Sequence, residues 1–167
     1  QVSGTAPGPL GARHPSITPF EAYKTKDGYI IISAGNDGLF AKLAEALENP
    51  GWAENPDYSS NDNRNKHVEK LKIEMESVLT THTTSHWIEV LDKFGVPSGP
   101  INDIGQAATH PQTIARNMIV SVDDPITGPM KVAGNPIKIS GFEDPETRDP
   151  APNLDQNREE ILRELSD

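Results

Sequence analysis

The sequence predicts a mixed α/β chain, and three observations carry that reading. The dipeptide Asp27-Gly28 sits between two extended runs, Phe20–Lys26 and Tyr29–Ala34. It signals a β-hairpin, because a two-residue type I′ turn needs positive φ at both central positions. Three later stretches carry apolar residues at helical spacing instead, and that periodicity separates helix from strand. Apolar content is low, at 34% of 167 residues with a mean hydropathy of −0.57. A single compact domain normally holds more. The chain is therefore expected to leave surface for a partner to cover, and to be a piece of a longer protein that begins before Gln1.

Taken in order, Ser3–Pro19 ("SGTAPGPLGARHPSITP") is rich in glycine and proline without periodicity, and reads as a loop or inter-domain linker. The hairpin follows, and its second strand, "YIIISA", is the most apolar segment and is expected to be buried on both faces. Leu39, Phe40, Leu43, Ala44 and Leu47 then recur at helical spacing. The turn-rich "LENPGWAENPDYSSNDNRN" leads into a helix from about Asn63 to Leu79, with Val68, Leu71, Ile73, Met75 and Val78 as its apolar positions. A third helix spans Ser85–Phe94 with Trp87, Ile88 and Leu91 on one face; it stops at Gly95, with Pro97 just beyond. "GVPSGPINDIGQAATHPQTIARNM" reads as short helical pieces punctuated by proline. Asn117–Val122 and Met130–Ala133 form strands around the turn Asp123–Gly128, and Asn135–Ser140 adds a third extended piece. "EDPETRDPAPN" is a loop, and Gln156–Leu165 a terminal helix.

Composition excludes several functions. The net charge is −10, from 25 acidic and 15 basic residues. That argues against nucleic acid or an anionic membrane as a partner, because affinity for either begins with Lys and Arg neutralising phosphates. The absence of cysteine removes disulfides, thiolate metal ligands and a cysteine nucleophile together, and fits a cytoplasmic protein. No apolar run approaches the ~20 residues that span a bilayer. Gln1–Leu10 has neither the basic nor the apolar region of a secretory leader.

Four motifs bear on chemistry. The segment "SAGNDGLF" joins a strand to a helix where nucleotide-binding proteins hold phosphate, but beyond Gly35 and Gly38 it has neither the remaining glycines nor a basic residue. It reads as a turn in which Asn36 or Asp37 caps the helix. His82 and His86 are four apart, yet Thr83-Thr84-Ser85 between them reads as a helix N-cap, which puts His82 outside the helix and leaves no metal site. The pairs Asp123-Asp124 and Glu159-Glu160 are adjacent in sequence, so their side chains diverge as solvated surface rather than converge for acid/base work. His14, His67 and His110 have no serine or acid in a nucleophile-elbow context. The residues alone thus describe a scaffold, with no catalytic group assigned in this chain.

Six segments read together are more specific: "RHPSITPFEAYKTKDGYIIISAGNDGLFAKL", "NPDYSSNDNRNKH", "GVPSGPINDI", "HPQTIARNM", "DPITGPMKVAGNPIKIS" and "APNLDQNREEIL". In this order and at these spacings the chain resembles the C-terminal part of the family III CoA-transferases, the CaiB/BaiF-like and formyl-CoA transferase-like enzymes. The resemblance implies an α+β small domain with a β-hairpin and helices, followed by strands and a helix that return to a dinucleotide-fold large domain otherwise absent. It divides the chain into a linker (1–18), the small domain (19–80), a connecting helix and linker (81–100) and the returning segment (101–167).

Such an enzyme moves CoA between an acyl-CoA and a free carboxylic acid through an aspartyl-CoA intermediate. The aspartate is expected upstream of Gln1, so this chain alone is expected to be inactive. CoA enters as a thioester substrate, with no permanently bound cofactor, and the full-length partner is a second copy interlocked as a homodimer. By position, Gly11, His14, Pro15 and Ser16 belong to a loop that shields the reaction intermediates from water. Two alternatives stand beside this reading: an α-methylacyl-CoA racemase of the same superfamily, in which a His and an Asp exchange the α-proton, and a non-catalytic binding or assembly module.

Overall fold

A computed structural model describes residue 4 and residues 8–166; the rest of the expected linker, 1–3 and 5–7, and Asp167 lie outside the described residues. The chain divides into two units, 1–101 and 102–167.

The first unit is a three-stranded antiparallel sheet covered by helices. Strands β1 (Phe20–Lys24) and β2 (Tyr29–Ser33) form the expected hairpin, and β3 (Ser98–Pro100) pairs with the other edge of β2. The turn differs from expectation. Lys24 pairs with Tyr29 and the Thr25 amide donates to the Gly28 carbonyl, so Lys26 and Asp27 are the central residues, and neither Asp27 nor Gly28 has a positive φ. The Asp27 carboxylate directs this turn. It accepts from the Thr84 amide and hydroxyl at 2.7 and 3.0 Å, seating the hairpin tip on the start of α5 (Thr84–Lys93).

Glu21 and Tyr23 of β1 pair with Ile32 and Ile30 of β2, which puts all four on the covered face, and all four are buried. The opposite face of β2 is only partly covered: Ile31 is half-buried and Tyr29 exposed, so the strand is not buried on both sides. Helices α1 (Asp37–Ala46), α4 (Val68–Leu79) and α5 supply Phe40, Leu43, Leu71, Met75, Leu79, Trp87 and Leu91 to the core. The short helix α2 (Gly51–Glu54) follows α1, and Trp52 packs against the same core. Residues 81–100, expected to connect domains, instead belong to this unit, contributing α5 to its core and β3 to its sheet.

The helix expected from Asn63 is two helices, α3 (Asn61–Lys66) and α4, separated at His67. Its Nδ1 lies 3.2 Å from the Asp57 carbonyl and 3.0 Å from the Asn63 carbonyl. Helix α5, capped by Thr83 and ending at Lys93 with Phe94 as its C-cap, lies within a residue of the expected Ser85–Phe94 and stops before Gly95 as expected. At Gly95, φ is +67°, and the Val96 amide bonds the Leu91 carbonyl, a Schellman ending.

The second unit centres on the hairpin β4 (Ile119–Asp124) and β5 (Gly128–Ala133), joined by a three-residue loop. The Asp124 carboxylate accepts from the amides of Ile126 and Thr127, and Gly128 takes a φ of +81° to re-enter the ladder. Asn135–Ser140 is not a strand. The third member of this sheet is β6 (Thr147–Arg148), parallel to β4 and drawn from the stretch expected to be loop. Helices α6 (Ile104–Thr109), α7 (Pro111–Ala115) and α8 (Arg158–Glu164) complete the unit without burying any residue; α6 carries a capping box between Asp103 and Gln106. No helix among the described residues is long and apolar enough to cross a membrane.

Candidate functional site

The four residues assigned to a shielding loop lie on one short segment, whose shape follows from a few local bonds. At its start the Arg13 amide donates to the Leu10 carbonyl, with Gly11 at φ +64°. Positive φ at the first central position is the type II′ arrangement, which favours glycine there. The loop is then closed by the His14 amide, which donates to the Phe20 carbonyl at 2.9 Å. The His14 ring stacks on the Phe20 ring at 5.3 Å and 9°, and its Nδ1 accepts the Ser16 amide at 3.2 Å. That bond requires the neutral ring with its proton on Nε2. Pro15 and Ser16 are exposed at the tip, and His14 is half-buried.

Beneath the tip the loop rests on α3. Asn61 and Asn65, one helical turn apart, both donate to the Ser16 carbonyl, at 2.9 and 2.8 Å. Their side-chain oxygens accept from Thr18: Asn61 from its amide at 3.1 Å and Asn65 from its hydroxyl at 2.7 Å. Between them Arg64, with no exposed surface, donates from Nε to the Thr18 carbonyl at 2.7 Å. Its other nitrogens reach the carbonyls of Tyr58 (2.8 Å) and Gly35 (3.3 Å) and the Asp37 carboxylate (2.8 Å), and its guanidinium lies over the Phe40 ring. A buried cation is stable only when its donors are met in this way.

The strand-to-helix turn "SAGND" is part of the same assembly. Asn36 caps α1 by accepting the Leu39 amide, and Asp37 is held by Arg64. Gly35 makes room for the loop: a Cβ there would fall 2.1 Å from Cγ2 of Ile17. The small residue at this turn admits the Ile17 side chain, which accounts for the glycine without a phosphate.

The remaining candidates are spread over the fold. His82 lies outside α5, and its ring stacks on His86 at 4.2 Å with both edge-on to Trp87; the imidazoles lie face to face rather than converging on a shared ligand. His110 caps α7. Asp124 is occupied by its turn, whose backbone amides hold its carboxyl below the usual range, and Asp123, Glu159 and Glu160 are exposed. Among the described residues no group of three or more His, Asp or Glu could hold a metal ion.

Sequence reasoning assigned no role to the α3 clamp or to Glu21. The Glu21 side chain, 6% exposed, is paired with Lys72 of α4. Beside that pair, burial pushes the Tyr23 hydroxyl well above its usual range, with Glu21 and Glu76 adding to the shift. The clamp did leave a trace in the sequence. "NDNRN" crowds asparagine, a poor helix former, onto a helix, and such a choice signals side-chain bonding rather than propensity.

The model of CoA-transferase family III matches residues 1–158. Over 165 residues the chain is 37% identical to an acetyl-CoA:oxalate CoA-transferase of Acetobacter aceti, covering 99% of this chain and 41% of that protein. Over 155 residues it is 34% identical to the human succinyl-CoA:glutarate CoA-transferase, covering 93% and 35%. The crystal structure of a CAIB/BAIF family protein from Brucella suis superposes with a TM-score of 0.72 at 32% identity, covering 98% of this chain and 42% of that one. The chain thus spans about two fifths of the length of the first of these relatives.

Proposed function

The chain belongs to CoA-transferase family III, and from that premise we propose that it is part of an enzyme that moves CoA between an acyl-CoA and a free carboxylic acid. What carries the reading is that nearly the whole chain aligns with proteins named as CoA-transferases while spanning well under half of each. The nucleophilic aspartate, which forms the mixed anhydride and then the aspartyl-CoA thioester, belongs to the part of the relatives' length that this chain does not match. CoA is then a substrate delivered as a thioester.

Within this chain the contribution is the loop carrying Gly11, His14, Pro15 and Ser16. The exposed tip formed by Pro15 and Ser16 covers the acyl intermediates and keeps water from them. A mixed anhydride and a thioester both hydrolyse if water reaches them, so transfer depends on such a cover. The returning segment, residues 101–167, packs on the large domain, and the working enzyme is a cytoplasmic homodimer.

The test is an assay of the purified chain beside the full-length gene product, each given acetyl-CoA or succinyl-CoA with oxalate or glutarate. The full-length protein is expected to exchange CoA and the chain alone to match the blank. Turnover by the chain alone would place the nucleophile within these residues and overturn the assignment.

A further inference from the structure

We infer that the shielding loop is a fixed wall rather than a mobile lid, and that Asn61, Arg64 and Asn65 of α3 are the positioning residues that fix it. The inference rests on the proposed role of the loop and adds to it the device that holds it. From Ser16 to Thr18 three backbone groups and the Thr18 hydroxyl face one side, and α3 meets all four. The Ser16 carbonyl takes two amide donors, and the Thr18 amide, hydroxyl and carbonyl each have a partner on α3. The far end of the loop is closed separately by the His14 amide on the Phe20 carbonyl.

Arg64 makes the clamp part of the domain core. The group that holds Thr18 also holds the Tyr58 and Gly35 carbonyls, so α3, the end of β2 and the loop share one buried cation. Ile17, seated against Gly35, adds an apolar contact on the same side. The loop can lift only by breaking several of these bonds together, whereas the side chains of Pro15 and Ser16 at the tip stay exposed, where they can face a substrate.

The two asparagines have different jobs for each half of their amides, and that gives a graded test. Asn61→Asp and Asn65→Asp keep the oxygens that accept from Thr18 and lose the nitrogens that donate to Ser16; Asn→Ala loses both. Both asparagines are half-buried at the surface of α3, so neither change removes core volume. Hydrogen exchange of the chain, resolved to individual amides, is the first readout. The Asn61→Ala/Asn65→Ala variant is expected to exchange the Thr18 amide at least roughly ten-fold faster, because the bonds that hold it closed are lost, with β2 amides unchanged. The double Asp variant is expected to fall between it and the parent. Equal protection in all three proteins overturns the clamp.

The second readout is the ratio of acyl-CoA hydrolysis to CoA transfer in the full-length protein, which a merely structural role would leave unmoved. It is expected to rise in the double Ala variant, and less in the double Asp variant. Faster exchange with an unchanged ratio leaves the clamp standing and overturns the shielding role of the loop.

Discussion

Gly35 is a residue whose importance is steric and local. Its missing Cβ is what lets Cγ2 of Ile17 approach the end of β2, and a methyl group there would meet it at 2.1 Å. Gly35→Ala is therefore expected to destabilise the first unit by about 1–3 kcal/mol, the usual cost of overpacking a close contact. Ile17→Ala in the same protein should recover much of that loss, and non-additivity in urea unfolding of the two single variants and the double is the check. Additive effects would mean that Gly35 is needed for something other than Ile17. The glycine was visible in the sequence but its reason was not, because its partner lies in a proline-flanked loop that no periodicity reaches. Gly28 shows the reverse error. The sequence signalled a left-handed turn residue, yet the Asp27 carboxylate, bound to Thr84 on another element, holds a turn centred one residue earlier.

At the scale of elements, helices with a clear apolar stripe were legible and those with polar logic were not. The face of α5 and its stop at Gly95 followed from spacing and a breaker. The separation of α3 from α4 depends on the His67 ring binding two carbonyls, and β3 is a strand only because the edge of β2 is there to receive Ser-Gly-Pro. Strand β6 likewise has no pattern of its own and exists by pairing with β4. The junction of the β1–β2 hairpin with α5 carries a pH dependence. Bonds from the Thr84 amide and hydroxyl hold the Asp27 carboxyl below its usual range. A lowered folded value gives stability that is present above the unfolded value of about 3.9 and lost as pH falls through the folded one. Asp27→Asn is expected to lower the melting temperature at pH 7 and to shrink its fall between about pH 5 and 2. Identical melting profiles for the two proteins across that range would remove Asp27 from the junction's stability.

The whole molecule is uneven in a way the lean composition foreshadowed. The first unit carries a continuous buried core from Tyr23 to Val96, whereas among the described residues of the second only Val120 and Val122 are buried large apolar side chains. Ile104, Ile114, Ile137, Ile139, Phe142 and Leu165 stand in solvent, each more than half exposed. Local stability follows buried apolar contact. Native-state hydrogen exchange is therefore expected to find β1 and β2 protected near the global limit and β4 and β5 far less so, by about 2 kcal/mol or more. Equal protection in the two hairpins would show that the second unit is self-sufficient. The sequence announced that surface was left over but not where, since period-two alternation in β4 and β5 marks a face without saying whether anything covers it.

The sheet of the first unit also has an order of completion. Its central strand, the isoleucine-rich β2, gains one neighbour at once from the hairpin, but the other, β3, is encoded roughly 65 residues later. On a ribosome adding about 5–20 residues per second, the free edge of β2 stays open for several seconds while five helices emerge. An apolar strand with an unpaired edge is the part of a nascent chain most apt to pair with a neighbour's. The three residues Ser98–Pro100 thus do more than widen a small sheet: their arrival ends the interval in which polysome-bound copies can join edge to edge.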